Sequence, residues 1–418
     1  MTPLRFASLQ PAPLAIEYGT GNRPRHALTL AAVWAATRVG MLVLLLVDHL
    51  GDSGVAGEVH RLYRSWYEQL VQGAFPLNDV TWQYPPGAAV VFLSPAALPW
   101  LTYFQAFVAV VLLADAVVTL ALARAGLRGS GLQGAGLQEA GLQGAWLWIC
   151  GLPLLLNLPL ARYDVPVTAF AVLALLALRG RPHLSGALAG IGALLKVWPL
   201  LTLLGTPKGR TTRTVWACAA ASAAVLMTVL MTGFSDPLDF LRQQGARGVQ
   251  IESLGGTALL LAGEWGWPGK VAFQYGAFEF TGPYVPAVAR LSLALSLGAM
   301  CWLLLWRIRA RRWTPATAYD AAFAAVLLFT VTSRVLSPQY LIWLLGLAAV
   351  CLTSRHTCQR QVALLMIPAA ALSSLAFPLL YDHVVEGTAL GCLLMVLRNG
   401  LLVTAAVLAC RRLWAATV

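Results

Sequence analysis

Five groups of polar residues carry whatever chemistry this chain performs, because charged side chains within or beside apolar runs cost free energy and need a pairing or functional reason. The first is Asp48, Asp52, Glu58, His60 and Arg61, followed by Asp79-Val80-Thr81-Trp82-Gln83-Tyr84-Pro85-Pro86-Gly87. A carboxylate here can take the proton of a hydroxyl held within hydrogen-bond reach; the plainer fate of any one of them is a solvated loop charge. Tyr84-Pro85-Pro86 reads as a rigid turn ahead of a helix. The second group is Arg162-Tyr163-Asp164 after Asn157-Leu158-Pro159, an Arg and an Asp that either pair or line a sugar pocket. The third is Lys196 in Lys196-Val197-Trp198-Pro199. It needs an anionic partner, either a lipid-linked phosphate or a carboxylate such as Asp164 or Glu58. The fourth is Arg247-Gly248-Val249-Gln250-Ile251-Glu252-Ser253. Its guanidinium fork suits phosphate oxygens, and an interfacial helix with a charged face is the structural alternative. The fifth is Thr332-Ser333-Arg334-Val335-Leu336-Ser337-Pro338-Gln339-Tyr340, where Arg334 is a snorkelling anchor or a second phosphate contact. Arg38 and Asp115, inside apolar runs, are expected to form a structural pair.

The elements that must position these groups are membrane helices. Of 418 residues, 59% are hydrophobic and 11% charged, against about 25% charged in a soluble domain. The apolar residues come in runs such as 28–47, 216–231 and 291–306, and about 20 such residues cross the hydrocarbon core as a helix. They do not alternate, which disfavours a β-barrel. The net charge of +12 sits largely at the ends of apolar runs, where it orients helices, and is not read as a nucleic-acid surface. The seven Cys lack metal-ligand spacing and read as small buried residues. These features give an all-α, polytopic transmembrane chain of about 10–13 membrane helices. A cytoplasmic segment, 1–27, precedes a single membrane domain, 28–412, with extracytoplasmic loops over 51–85 and 233–286. In the first loop, Val59, Leu62, Tyr63, Trp66 and Leu70 give the stretch 58–71 an amphipathic face suited to the interface. Trp265, Trp267, Tyr275, Phe278 and Phe280 in the second loop suit an aromatic belt. A Gly-Leu repeat of five residues makes 125–145 a low-complexity connector. The run 183–204 has basic residues on both flanks, so it is expected to enter and leave on one side as a re-entrant segment with Lys196 near its tip. Irregular backbone of this kind survives only against protein or a watery cavity. Arginine-rich turns at Arg307–Arg312, Arg355–Arg360 and Arg411–Arg412 mark the cytoplasmic face, leaving the five groups outside or at membrane depth.

No phosphate-cradling glycine loop, zinc spacing or nucleophile elbow is present, which disfavours ATP-driven pumps and serine-type hydrolases. In their order along residues 58–340, the groups resemble the GT-C superfamily of membrane glycosyltransferases. More narrowly they resemble glycosyltransferase family 87, the actinobacterial polyprenyl-phosphate-mannose-dependent α-mannosyltransferases. The matching pieces are Glu58-Val59, Tyr63, Trp66, Gly73, Pro76, Asp79 and Tyr84-Pro85-Pro86; then Arg162-Tyr163-Asp164; then Gly192, Lys196 and Pro199; then Arg247-Gly248 and Glu252-Ser253; then Ser337-Pro338-Gln339-Tyr340. The resemblance implies a GT-C-type fold and inverting transfer of a hexose, mannose by the family pattern. The donor would be a polyprenyl-phosphate-linked sugar and the acceptor a glycolipid or cell-envelope glycan. Membrane lipids would surround the chain, and catalysis would take place on the extracytoplasmic side of the cell membrane. It also implies that a first-loop carboxylate takes the acceptor proton. Glu58 stands where the family has Asp, with Asp52 and Asp48 in reserve. Lys196, Arg247 and Arg334 would hold the donor phosphate, and Arg162, Asp164, Tyr84, Glu252, Gln339 and Tyr340 would shape the sugar or acceptor pocket. No ligand cluster demands a metal or other cofactor. The reading from another class is a multi-pass transporter or flippase, which would show an internal repeat and working charges open to both faces; a non-catalytic envelope scaffold is a third.

Overall fold

The computed structural model describes residues 23–49, 54–130, 141–241 and 247–418. Asp52, most of the expected N-terminal segment and the middle of the Gly-Leu repeat lie outside them. The described chain is almost wholly helical. In chain order the helices are α1 (Arg23–His49), α2 (Arg64–Val71, entered through a π-helical turn Glu58–Tyr63), α3 (Ala88–Leu93), α4 (Tyr103–Ser130), α5 (Gln143–Gly151), α6 (Asp164–Ala177), α7 (Pro182–Leu195), α8 (Arg210–Gly233), α9 (Leu254–Glu264), α10 (Val285–Arg309), α11 (Thr317–Thr332), α12 (Tyr340–Leu352), α13 (Arg360–Ser374), α14 (Tyr381–Glu386) and α15 (Ala389–Thr417). Among the described residues six helices are long and apolar enough to cross a bilayer, α1, α4, α8, α10, α15 and the stretch from Arg360 to Leu379; seven apolar helices are shorter. The molecule is an all-α polytopic membrane protein. Its long helices show apolar flanks such as Val43, Leu113, Val225, Leu293 and Leu393 on the outside, as expected where the surrounding solvent is lipid. The flanks of the repeat are helical, α4 running on to Ser130 and α5 starting at Gln143.

The expected pair inside the bundle is present. Arg38 Nε and Nη2 reach the two oxygens of Asp115, each at 2.8 Å. Trp34 and Trp148 donate their indole N–H to the same carboxylate at 2.7 Å. Arg38 Nη1 donates to the Ile149 carbonyl at 2.7 Å. Both charges are buried, so this full set of partners is what keeps the pair from being a large net cost.

The run 182–205 doubles back. Built Cβ atoms on Gly186 and Gly190 would fall 2.2 Å from the carbonyl oxygens of Val215 and Ala219. The contacts advance together, so α7 and α8 run in the same direction at a spacing only glycine allows. The chain between them must therefore return. It breaks at Lys196, whose backbone is extended. Pro199, lacking an N–H, cannot bond back to the Leu195 carbonyl. A 3-10 stretch, Trp198–Gly205, then packs against α11. The returning end lies with the basic turns. Lys208 donates to the carbonyls of Ile308 and Ala310 at 3.1 and 2.8 Å, Arg307 to that of Thr206, and the amides of Arg311 and Arg312 to that of Thr417.

At the opposite end the segment after α8 forms an antiparallel sheet in the order β1 (Val249–Gln250), β3 (Ala277–Thr281), β2 (Lys270–Gln274). The sequence did not predict it; the structural alternative for 247–253 was a helix. Phe280 is buried beneath this sheet and Trp267 packs on it edge-on, whereas Trp265 stands 94% exposed. The expected aromatic belt is thus partly core. The Gln250 amide donates to the Arg334 carbonyl at 3.1 Å, which ties the sheet to the segment ahead of α12.

Candidate functional site

Four of the five groups supply charges that meet beside the break in the re-entrant segment. Glu58 is the first residue of the π-helical turn, a wide turn frequent at functional sites. The turn is held from beneath by Val59, Tyr63, Trp66 and Leu70, all buried. These are the apolar residues the sequence singled out, with Leu62 at the margin, but they pack into the protein against Phe92 and Phe107 and not onto the membrane interface expected for them. Trp66 Nε1 donates to Asp79 Oδ2 at 2.8 Å, and Asp79 Oδ1 accepts from the Thr81 amide at 2.8 Å. Asp79 therefore acts as the knot of the turn leading to Tyr84-Pro85-Pro86. After that turn Gly87 abuts the re-entrant helix: a Cβ there would lie 2.6 Å from the Leu194 carbonyl carbon. That close approach sets the Tyr84 ring near Lys196.

Arg162 and Asp164, two residues apart, do not pair with each other. Arg162 is extended, and Asp164 opens α6, so their side chains diverge. Arg162 Nη2 lies 2.5 Å from Glu58 Oε2, the guanidinium 8% exposed and the carboxylate 30%. Arg162 Nη1 donates to the Ala161 carbonyl at 3.0 Å. Asp164, 1% exposed, takes Lys196 Nζ on Oδ1 at 2.6 Å and the indole N–H of Trp343 on the same oxygen at 2.6 Å. The Lys196 ammonium lies 4.7 Å from the ring centres of Tyr163 and Trp343, 5.6 Å from Tyr340 and 6.0 Å from Tyr84. Tyr340 stacks on Trp343 at 3.9 Å, and Trp343 on Trp198 at 5.2 Å. The Tyr63 and Tyr163 hydroxyls, Arg162 Nε and Asp164 Oδ2 are buried with no hydrogen-bond partner among the described residues.

The sheet brings Arg247 to the same region. Its Nε donates to the buried Glu279 at 3.1 Å, and the other oxygen of Glu279 accepts from the Gly248 amide at 2.8 Å. Burial, first, and the charges of Glu58 and Asp164, next, push the Tyr84 hydroxyl well above its ordinary pKa; Arg162 and Arg247 oppose them. The Tyr84 ring lies 6.0 Å from the Lys196 ammonium and edge-on to Tyr163 at 5.0 Å. Arg334 and Gln339 are half-buried in the segment that leads into Tyr340. Glu252 is placed elsewhere. It is buried against α15, where Arg398 Nη1 reaches its carboxylate at 2.8 Å, Arg398 Nη2 its carbonyl at 2.5 Å, and Asn399 the same carbonyl at 3.1 Å. Burial raises the pKa of its carboxyl, with Arg398 pulling it back down. Asp48 caps the turn before Glu58 by accepting from the Ala56 amide at 2.8 Å.

Sequence reasoning missed Trp343, Arg398 and Glu279. Trp343 carried a signal, because it falls three residues after Tyr340 and so shares its helix face. Arg398 carried one as well, as a lone charge in an apolar run. Glu279 carried none, since nothing marked its strand. No three His, Cys, Asp or Glu side chains gather into a metal-ligand cluster among the described residues.

The arrangement is a half-exposed carboxylate backed by a buried guanidinium, beside a caged ammonium and a third cation on the sheet. It can accept a proton from a hydroxyl on one side and face an anionic leaving group on the other. The model of the family described as Glycosyltransferase family 87 matches residues 82–338, more than half of the chain. The match takes in Arg162, Asp164, Lys196, Arg247 and Arg334, and begins after Glu58. No curated protein matches the chain.

Proposed function

Because the chain belongs to glycosyltransferase family 87 and is therefore a glycosyltransferase, we propose that it moves a hexose, mannose first among them, from a polyprenyl-phosphate-linked donor to a glycolipid or cell-envelope glycan. Transfer inverts the anomeric carbon and takes place on the extracytoplasmic side of the cell membrane. The observation that carries this reading is the Glu58–Arg162 pair, a carboxylate held 2.5 Å from a buried guanidinium while itself 30% exposed. Glu58 takes the proton of the acceptor hydroxyl. The oxygen attacks the anomeric carbon as the bond to the phosphate oxygen breaks, and the polyprenyl phosphate departs with the electron pair. Arg162 fixes the carboxylate and is itself fixed by the Ala161 carbonyl. Arg247 and Arg334 stabilise the charge that grows on the leaving phosphate. The sidedness is supported by the site lying at the end of the bundle away from Lys208, Arg307, Arg311 and Arg312, since arginine-rich turns stay in the cytoplasm.

The test is transfer of label from radiolabelled polyprenyl-phosphate-mannose to a glycolipid fraction by membranes containing the chain. The expected result is a labelled glycolipid with the inverted linkage. Absence of transfer from every polyprenyl-phosphate sugar offered would overturn the reading.

A further inference from the structure

We infer that the Asp164–Lys196 pair recognises hydroxyl groups of the transferred sugar and does not hold the donor phosphate. This rests on the glycosyltransferase reading of the same site.

The open carboxylate oxygen is the first reason. Lys196 is balanced by a 1% exposed carboxylate 2.6 Å away, as Arg247 is by Glu279, so net charge does not separate the two cations, but only the carboxylate beside Lys196 keeps an unsatisfied oxygen, Asp164 Oδ2. A phosphate reaching the ammonium would also meet that carboxylate, a like charge, a few ångströms away. The second reason is the hydrogen-bonding capacity left over. Asp164 Oδ1 is occupied by both Lys196 and Trp343, which fixes the orientation of the carboxylate and leaves Oδ2 buried without a donor among the described residues. An ionised phosphate only accepts hydrogen bonds and cannot satisfy that oxygen. A sugar hydroxyl both donates and accepts: it can donate to Oδ2 and accept from the Tyr163 hydroxyl, also unpartnered, or from a remaining Lys196 N–H. Arg247 differs on this point. Both oxygens of its partner Glu279 are already satisfied, by Arg247 and by the Gly248 amide, and among the described residues the rest of the guanidinium fork remains for an acceptor-only group. The third reason is the surroundings. The half-buried rings of Tyr84 and Tyr340 flank Lys196, and aromatic faces pack against the C–H face of a pyranose while the pair reads its hydroxyls.

The experiment measures binding of two lipids to the full chain in nanodiscs, polyprenyl phosphate and polyprenyl-phosphate-mannose. The variants are Lys196→Gln, the charge-neutral double variant Asp164→Asn/Lys196→Gln, and Tyr163→Phe. The double variant avoids stranding a buried carboxylate, and Tyr163→Phe removes only an unpaired hydroxyl. In the double variant, affinity for the sugar-bearing lipid is expected to fall about tenfold or more, with affinity for the sugar-free lipid within about twofold. Tyr163→Phe is expected to weaken the sugar-bearing lipid alone, by a few-fold. Equal weakening of both lipids in Lys196→Gln and the double variant would return Lys196 to the phosphate and overturn the inference. Unchanged affinities with a raised melting temperature in Tyr163→Phe would make the cluster merely structural, which also overturns it. Wild type binding neither lipid would instead overturn the donor assigned under the proposed function.

Discussion

Replacing Glu58 with Gln isolates proton transfer from position. Gln has the same reach and keeps an oxygen to accept from Arg162, so the 2.5 Å clasp survives in weakened form and the turn 58–63 keeps its buried underside. What is lost is the ability to bind a proton. A positioned general base contributes about 10²–10⁴ in rate, which corresponds to ~3–5 kcal/mol on the barrier at ~1.4 kcal/mol per tenfold. The expected result is a fall in kcat of that size, with the KM for the lipid-linked donor within about threefold, because no described contact joins Glu58 to the cations assigned to the phosphate. Glu58→Asp provides the scale. It withdraws the carboxylate by one methylene, ~1.5 Å, which breaks the clasp, and a misplacement of ~1 Å can cost ~10²-fold. It should retain more activity than Gln only if another anchor replaces Arg162. The assay is initial-rate transfer of radiolabelled mannose in purified membranes, varying donor and acceptor separately. A kcat for Glu58→Gln within about threefold of wild type would refute the assignment of the base, and a rise in donor KM with kcat preserved would make Glu58 a binding residue.

Three further perturbations test the framework around the site. Arg398→Met leaves Glu252 buried without its counter-charge and should lower stability by about 3–5 kcal/mol, read as a melting temperature in detergent. Adding Glu252→Gln should recover much of the loss. Arg38→Leu should destabilise by a similar ~3–5 kcal/mol, with Asp115→Leu on the same background recovering part of the loss, because it removes the stranded carboxylate but leaves the Trp34 and Trp148 indole N–H groups without their acceptor; no recovery at all would refute the stranded-charge account. Gly87→Ala forces a methyl to within 2.6 Å of the Leu194 backbone and should cost ~1–3 kcal/mol by overpacking. It should also reduce transfer more than it reduces the amount of folded protein, because it displaces Tyr84 from Lys196.

The sequence alone determined what depends on neighbours along the chain. Runs without charge at 216–231 and 291–306 require helices, because lipid offers the backbone no partner, and α8 and α10 cover both. Basic residues on both flanks of 183–204, with Pro199 inside, required a broken segment that returns, and α7 with its 3-10 return is that segment. The five polar groups were legible for the same reason, since a charge beside apolar residues is conspicuous wherever it stands. Which charge neutralises which was decided only by the tertiary structure. Arg162 passes over Asp164, two residues away, for Glu58, 104 positions earlier in the chain; Asp164 takes Lys196, and Glu252 takes Arg398 near the far end of the chain. Spacing along a sequence carries no information about such partners, because ionic attraction depends on separation in space and on the depth from which water is excluded. The proposed division of the site into a proton acceptor, a hydroxyl-reading Asp164–Lys196 pair and a sheet arginine held by Glu279 rests on such pairings, which formed only when the re-entrant break, the Tyr84 turn and the sheet were packed together.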